Sequence, residues 1–184
     1  MAKALIIAEK PSLGRSIVSA LQWWKNEKFE RQGKDRNTWL ESDNYIVASS
    51  VGHLYELIGL DAYFPDYDPQ NKPGWSMDRL PFFPDDWEFQ YEGKEKVKGL
   101  IRVINSLMNR KDVDVIYNAG DPDREGQRLV DEIIEHGLKT QKTIYRLWLP
   151  DTTNKTIKQA FETAKPNTGY VNFSSSAEAR SEMD

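Results

Sequence analysis

Apolar and polar positions alternate along this chain in blocks whose period changes repeatedly. Ala4 to Ala8 is an unbroken apolar run, and Lys3 to Ala8 predicts a short, fully buried strand. The run breaks at Glu9-Lys-Pro-Ser12, and Ser12 opens a helical pattern through Leu13, Ile17, Ala20 and Leu21. Lys25 to Asn37 is a mostly polar stretch and predicts an exposed loop of mixed charge. Thr38–Glu41 and Asn44–Ser49 flank Ser42-Asp43 and predict a hairpin. Gly59 to Tyr91 holds five prolines and many aromatics without a sustained period, which predicts a long ordered loop of functional weight.

Regular structure then resumes. Val97, Leu100, Ile101, Ile104, Leu107 and Met108 form one face of a helix over 95–109. Val113–Tyr117 predicts a strand, and Arg124–His136 a helix closed by Gly137 as its C′ glycine. Thr143–Leu149 predicts a strand and Thr152–Ala164 a helix. Strand and helix alternating in this way predict an α/β fold, a mostly parallel central sheet with helices on both faces. Ser174 to Asp184 predicts a helix that stops without a closing glycine or proline, as if a longer chain continued.

Composition narrows the chemistry. The 184 residues contain no cysteine, which excludes disulfides, Cys-based zinc sites and thiol nucleophiles. Met1 to Lys10 has too short an apolar run for a signal peptide or a membrane span, so a soluble, cytoplasmic protein without membrane contact is expected. A net charge of −4 argues against a protein that coats nucleic acid, although an acidic metal site can sit beside a basic groove.

Ligands of open parallel sheets bind beyond the carboxyl ends of the strands. Acids stand at two such ends: Glu9 after the first strand, and Asp121, Asp123 and Glu125 after Val113–Tyr117. Pro122 stiffens the Asp121-Pro-Asp123 segment, which can aim both carboxylates at one point. Such a set repels itself unless a cation is bound, and hard oxygen donors suit Mg²⁺. A helix start accounts for the same residues, with Asp123 as N-cap and Glu125 facing the macrodipole. The sequence has no Walker-type phosphate loop, no His-Glu-x-x-His and no Gly-x-Ser-x-Gly. His136 reads as a helix-end residue. His53 reads as a structural histidine, with phosphate contact as its second reading.

Three ordered motifs, Ile7-Ala-Glu-Lys-Pro-Ser-Leu13, Gly52-His-Leu54 and Ala119-Gly-Asp-Pro-Asp-Arg-Glu-Gly-Gln127, resemble the Toprim domain of type IA DNA topoisomerases. Arg79-Leu-Pro81 with Trp87, and Arg146-Leu-Trp-Leu149, are similar to the topoisomerase III branch. The resemblance implies a Rossmann-like Toprim domain over 1–170, with 171–184 starting a helix into a further, DNA-gripping domain. It implies Glu9 as catalytic glutamate and Mg²⁺ ligand, Asp121 and Asp123 as the other ligands, and Glu125 farther out. Lys10 would meet the scissile phosphate, and His53, Trp75, Arg124 and Arg180 would also contact DNA. Gln127 stands where many type IA enzymes have Glu.

The implied reaction is a reversible transesterification of single DNA strands through a 5′-phosphotyrosine. Its partners are single-stranded segments of supercoiled or catenated DNA and the remaining domains of the same polypeptide. The nucleophilic tyrosine would lie downstream, so the fragment alone is expected to be inactive. Two alternatives share part of the pattern: another Toprim enzyme, a primase or nuclease, and a non-catalytic Toprim scaffold of DNA repair.

Overall fold

The computed structural model describes residues 2–57 and 91–183. A seven-stranded sheet has the order β2-β3-β4-β1-β7-β8-β9. Its centre is β1 (Lys3–Ala8), parallel on one side to β4 (Tyr45–Ser49) and on the other to β7 (Val113–Ala119), which pairs in parallel with β8 (Thr143–Arg146). The edges are antiparallel: β3 (Asn37–Glu41) with β2 (Glu30–Lys34) on one side, and the two-residue β9 (Lys165–Pro166) on the other. A separate pair joins β5 (Tyr55–Leu57) and β6 (Tyr91–Gly93).

The apolar run of β1 is buried because both faces of its strand are covered, as in parallel sheets generally. Leu5 and Ile7 face a core shared with α2 (Lys98–Met108) and α3 (Arg124–Gly137). Ile6 and Ala8 face the opposite core, under α1 (Pro11–Lys25) and α4 (Asn154–Glu162). Each such isoleucine contributes roughly 2 kcal/mol of apolar burial. The final helix, α5 (Val171–Met183), packs on α3. Among the described residues, no helix is long and apolar enough to cross a membrane.

Several boundaries differ from the sequence expectation for physical reasons. The polar segment 25–37 contains β2 rather than only loop. Its residues, Glu-Arg-Gln-Gly-Lys, carry no apolar alternation, because an edge strand is held by backbone pairing alone. Asp35 (φ 53°) turns the chain back into β3. Helix α1 starts at Pro11, one residue before Ser12, since proline suits a first helical position and Lys10 is extended before it. Strand β8 ends at Arg146, short of Leu149. Helix α5 starts at Val171, before Ser174.

Gly137 is the last residue of α3 and not a left-handed cap. A Cβ there would lie 2.1 Å from Asn105 Oδ1 and 2.4 Å from Met108 Cε, so this glycine permits close packing of α3 on α2. The loop expected over Gly59 to Tyr91, with Trp75, Arg79 and Trp87, lies outside the described residues apart from Tyr91.

Candidate catalytic and metal site

The register Ala8↔Ser49 and Ala8↔Ala119 brings three parallel strands to a common carboxyl edge. The ladder extends one residue further, where the Glu9 amide donates to the Ala119 carbonyl at 3.3 Å. This carries Glu9 to the exit of β7. There its Oε2 accepts the Asp121 amide at 2.7 Å, joining residues 112 apart in sequence. Lys10 occupies the N-cap position of α1 without capping it, so its side chain reaches across to Asp121 Oδ2 at 2.5 Å. The hydrogen bond that Lys10 donates to Asp121 is the largest influence raising the Lys10 pKa, against desolvation, and the charges of Asp121, Glu9 and Asp123 act in the same direction. One ammonium therefore faces three carboxylates.

Asp123 realises the helix-start reading. It is the N-cap of α3, its Oδ1 accepting the Gly126 amide at 2.7 Å. Glu125, in the first turn of α3, lies between Arg124 Nε (3.5 Å) and Arg180 Nη1 (3.6 Å). Glu9 and Asp121 are thus in direct contact, Asp123 is adjacent through the Lys10 field, and Glu125 belongs to a neighbouring group with two arginines. His53 pairs with Glu132 on α3, Nδ1 to Oε2 3.8 Å, and that buried carboxylate raises the histidine's pKa against the lowering effect of desolvation. Trp75 lies outside the described residues.

Two glycines let the turn between β7 and α3 close. A Cβ on Gly120 would lie 1.9 Å from the Gly126 carbonyl oxygen. One on Gly126 would lie 2.5 Å from the Asp121 amide nitrogen and 2.7 Å from Glu9 Oε2. Beneath the turn sits Arg146, 1% exposed, a residue to which sequence reasoning gave no role. Its Nη1 donates to the carbonyls of Asn118, Gly120 and Leu147, and Nη2 to that of Asp121 at 2.7 Å. Desolvation pulls its pKa down to about 10. The available signal was one arginine at the end of an otherwise apolar strand.

Gln127 is fully buried and turned away from the acids. Its Nε2 donates to Asp131 Oδ2 and Asn167 Oδ1, and Asn118 donates to the same aspartate's Oδ1. A glutamate at 127 in this orientation would set a second carboxylate against Asp131 without the amide donor it requires.

Among the described residues, no three acidic or histidine side chains stand together in ligating positions. The donor chemistry nevertheless fits a hard divalent cation. Glu9, Asp121 and Asp123 offer only carboxylate oxygens around a place already attractive to the Lys10 ammonium.

The Toprim domain model matches residues 4–152. The chain belongs to the Toprim family. This Toprim chain is 35% identical over 187 residues to a DNA topoisomerase 3 of Bacillus thuringiensis, taking in 100% of the chain and 23% of that relative. A DNA topoisomerase 3 of Bacillus subtilis is 33% identical with the same coverage. One from Haemophilus influenzae is 35% identical over 185 residues, covering 98% of the chain and 26% of the relative. The Toprim chain thus spans about a quarter of the length of the curated relatives it matches.

Proposed function

We propose that this Toprim chain is the acid-bearing catalytic part of a type IA DNA topoisomerase of the topoisomerase III kind. It would act in the cytoplasm, within a longer polypeptide whose other domains bring the nucleophilic tyrosine and most of the DNA grip. Residues 1–170 form the Toprim domain in this reading, and 171–184 begin the helix toward the next domain. One observation carries it: Glu9 and Asp121, from separate strand ends, are in hydrogen-bond contact beside Lys10, in a chain that aligns along its whole length with topoisomerase 3 relatives.

The geometry supports the following division of labour. Lys10 is half exposed and turned to the carboxylates, so its ammonium can meet a phosphodiester and stabilise charge developing on it. A tyrosine from another domain attacks the phosphorus, and the bond to the 3′-oxygen breaks as the 5′-phosphotyrosine bond forms. Glu9, placed by β1 and the Asp121 amide, donates the proton that the leaving 3′-oxygen needs and takes it back on resealing. Glu9, Asp121 and Asp123 hold Mg²⁺, with Glu125 farther out. When bound, the ion compensates the carboxylates and positions phosphates rather than making hydroxide. His53, Trp75, Arg124 and Arg180 contact the single-stranded DNA.

The test uses the longer polypeptide with single-stranded DNA labelled at its 3′ end, quenched with detergent in the presence of Mg²⁺. Label travelling with the protein, and lost when a downstream tyrosine is changed, establishes the chemistry. No adduct under any Mg²⁺ condition overturns it. The scaffold alternative predicts no Mg²⁺ effect on thermal stability, whereas here Mg²⁺ raises the melting temperature and Asp121→Ala with Asp123→Ala removes that gain.

A further inference from the structure

Beside the acidic site lies a groove of opposite character. A cavity of about 380 Å³ runs between the start of α1, the carboxyl end of β4 and the β2–β3 hairpin. Arg15, Arg31 and Arg36 line it, with Thr38, Trp39 and Ser49. Among the described residues, no Asp or Glu lines it. All three arginines are exposed, and among the described residues none of them is in an ion pair. By contrast, Arg110 and Arg128 are each tied to two acids.

The fold explains the convergence. β3 runs antiparallel to β4, so the tip of the β2–β3 hairpin projects past the same carboxyl edge that carries Glu9 and Lys10. Arg31 opposes Leu40, whose side chain joins the core under α1, and so Arg31 shares a sheet face with Arg15 on that helix. Gly14 lets the start of α1 lie close against the end of β4, since a Cβ there would lie 2.3 Å from Ser49 Oγ. Pro11, directly after Lys10, lines the same cavity, so the groove opens next to the catalytic edge.

Edge strands often carry charge to block unwanted pairing, but that need is met by either sign and by any direction of the side chain. Three arginines on one cavity that has no carboxylate among its described lining residues, beside Thr38 and Ser49, have the chemistry of a phosphodiester path. We propose that the Arg15–Arg31–Arg36 groove holds the sugar-phosphate backbone of a single-stranded nucleic acid on its way to or from Glu9. The direction of that path rests on the topoisomerase reading; the groove's affinity for the strand does not.

The experiment measures binding of a fluorescent oligodeoxythymidine, without Mg²⁺, to the same polypeptide used in the adduct assay. Wild type is compared with Arg15→Gln/Arg31→Gln/Arg36→Gln and with Lys25→Gln/Lys28→Gln/Lys158→Gln, which removes equal charge away from the groove. The groove triple loses on the order of tenfold in affinity, and the slope of log K against log salt shrinks by about 2, or roughly 0.7 for each phosphate contact. The control triple changes both by less than half as much. In unaltered protein, the oligonucleotide protects Arg15, Arg31 and Arg36 from phenylglyoxal, read by mass spectrometry, so the result does not depend on any variant folding. Unchanged affinity and slope with no protection overturn the groove, even if the adduct forms normally. Protection and slope loss in a protein that gives no adduct support the groove while removing the topoisomerase reading.

Discussion

The two edges of one sheet solve opposite electrostatic problems. At the amino edge, two cations meet two carboxylates. Lys3 Nζ donates to Glu41 Oε1 at 2.7 Å, and the Arg110 guanidinium donates to both Glu41 oxygens at 2.9 Å and to both oxygens of Asp112. Trp39 Nε1 adds a further bond to Glu41 Oε2. Burial pushes the Glu41 pKa up, but bonds from Arg110, Lys3 and Trp39 outweigh it and hold the group at about 2. At the carboxyl edge, Glu9, Asp121 and Asp123 share Lys10, a surplus of negative charge. Equal backbone scaffolding thus supports a saturated network at one end and an unsaturated one at the other. The first contributes stability; in the proposed reading, the second gives up some of it to leave room for a cation and a phosphate.

The sharpest break is at the unsaturated edge. Glu9→Gln should lower adduct formation at least about a hundredfold, the range for loss of a general acid. Its melting temperature should stay within a degree or two of wild type; a large fall would mean that Glu9 is structural. The saturated edge should answer in reverse. Glu41→Ala should lose about 2–3 kcal/mol in urea unfolding while adduct yield per folded molecule is retained. The sign of the pH response follows from a folded pKa below the ordinary 4.5. Stability from Glu41 is complete above pH 4.5 and lost as pH falls toward 2, so Glu41→Gln should flatten acid unfolding in that window.

Asp123 sits between the two behaviours. Asp123→Ala should cost about 1 kcal/mol as a lost N-cap, and Asp123→Ser should restore most of that without restoring the Mg²⁺ gain in melting temperature. The smallest effect concerns His53. Glu132→Gln should lower its pKa in an NMR titration, because the carboxylate that favours the imidazolium is gone.

What could be read from the sequence depended on where side chains, rather than backbone, set the outcome. The apolar run 4–8 and the stripe over 95–109 announced β1 and α2, because burial leaves its mark on composition. Glu9 and Asp121-Pro-Asp123 stood out as acids beyond strand ends, and the fold does bring Glu9 and Asp121 together. The residues left open whether Asp123 caps a helix; its Oδ1 accepts the Gly126 amide, and its charge still acts on Lys10. Strand β2 was hidden because an exposed edge strand has no apolar code. Arg146 and Gln127 were hidden because each looks like a surface polar residue until the carbonyls and amides around it are known.

The glycine pair under the acids limits how this site can be altered. At Gly120 and Gly126, backbone lies against backbone with no space for a single carbon. Side chains can therefore be exchanged along the rim, but the path of the main chain between β7 and α3 has no slack to absorb an added methyl group. An engineer seeking a different metal preference would have to work through the length of the carboxylates, as in Asp121→Glu, and not by reshaping the loop. Random variation faces the same restriction. Variants that retain metal binding should show changes at the hairpin and helix surfaces long before any appear at these two positions.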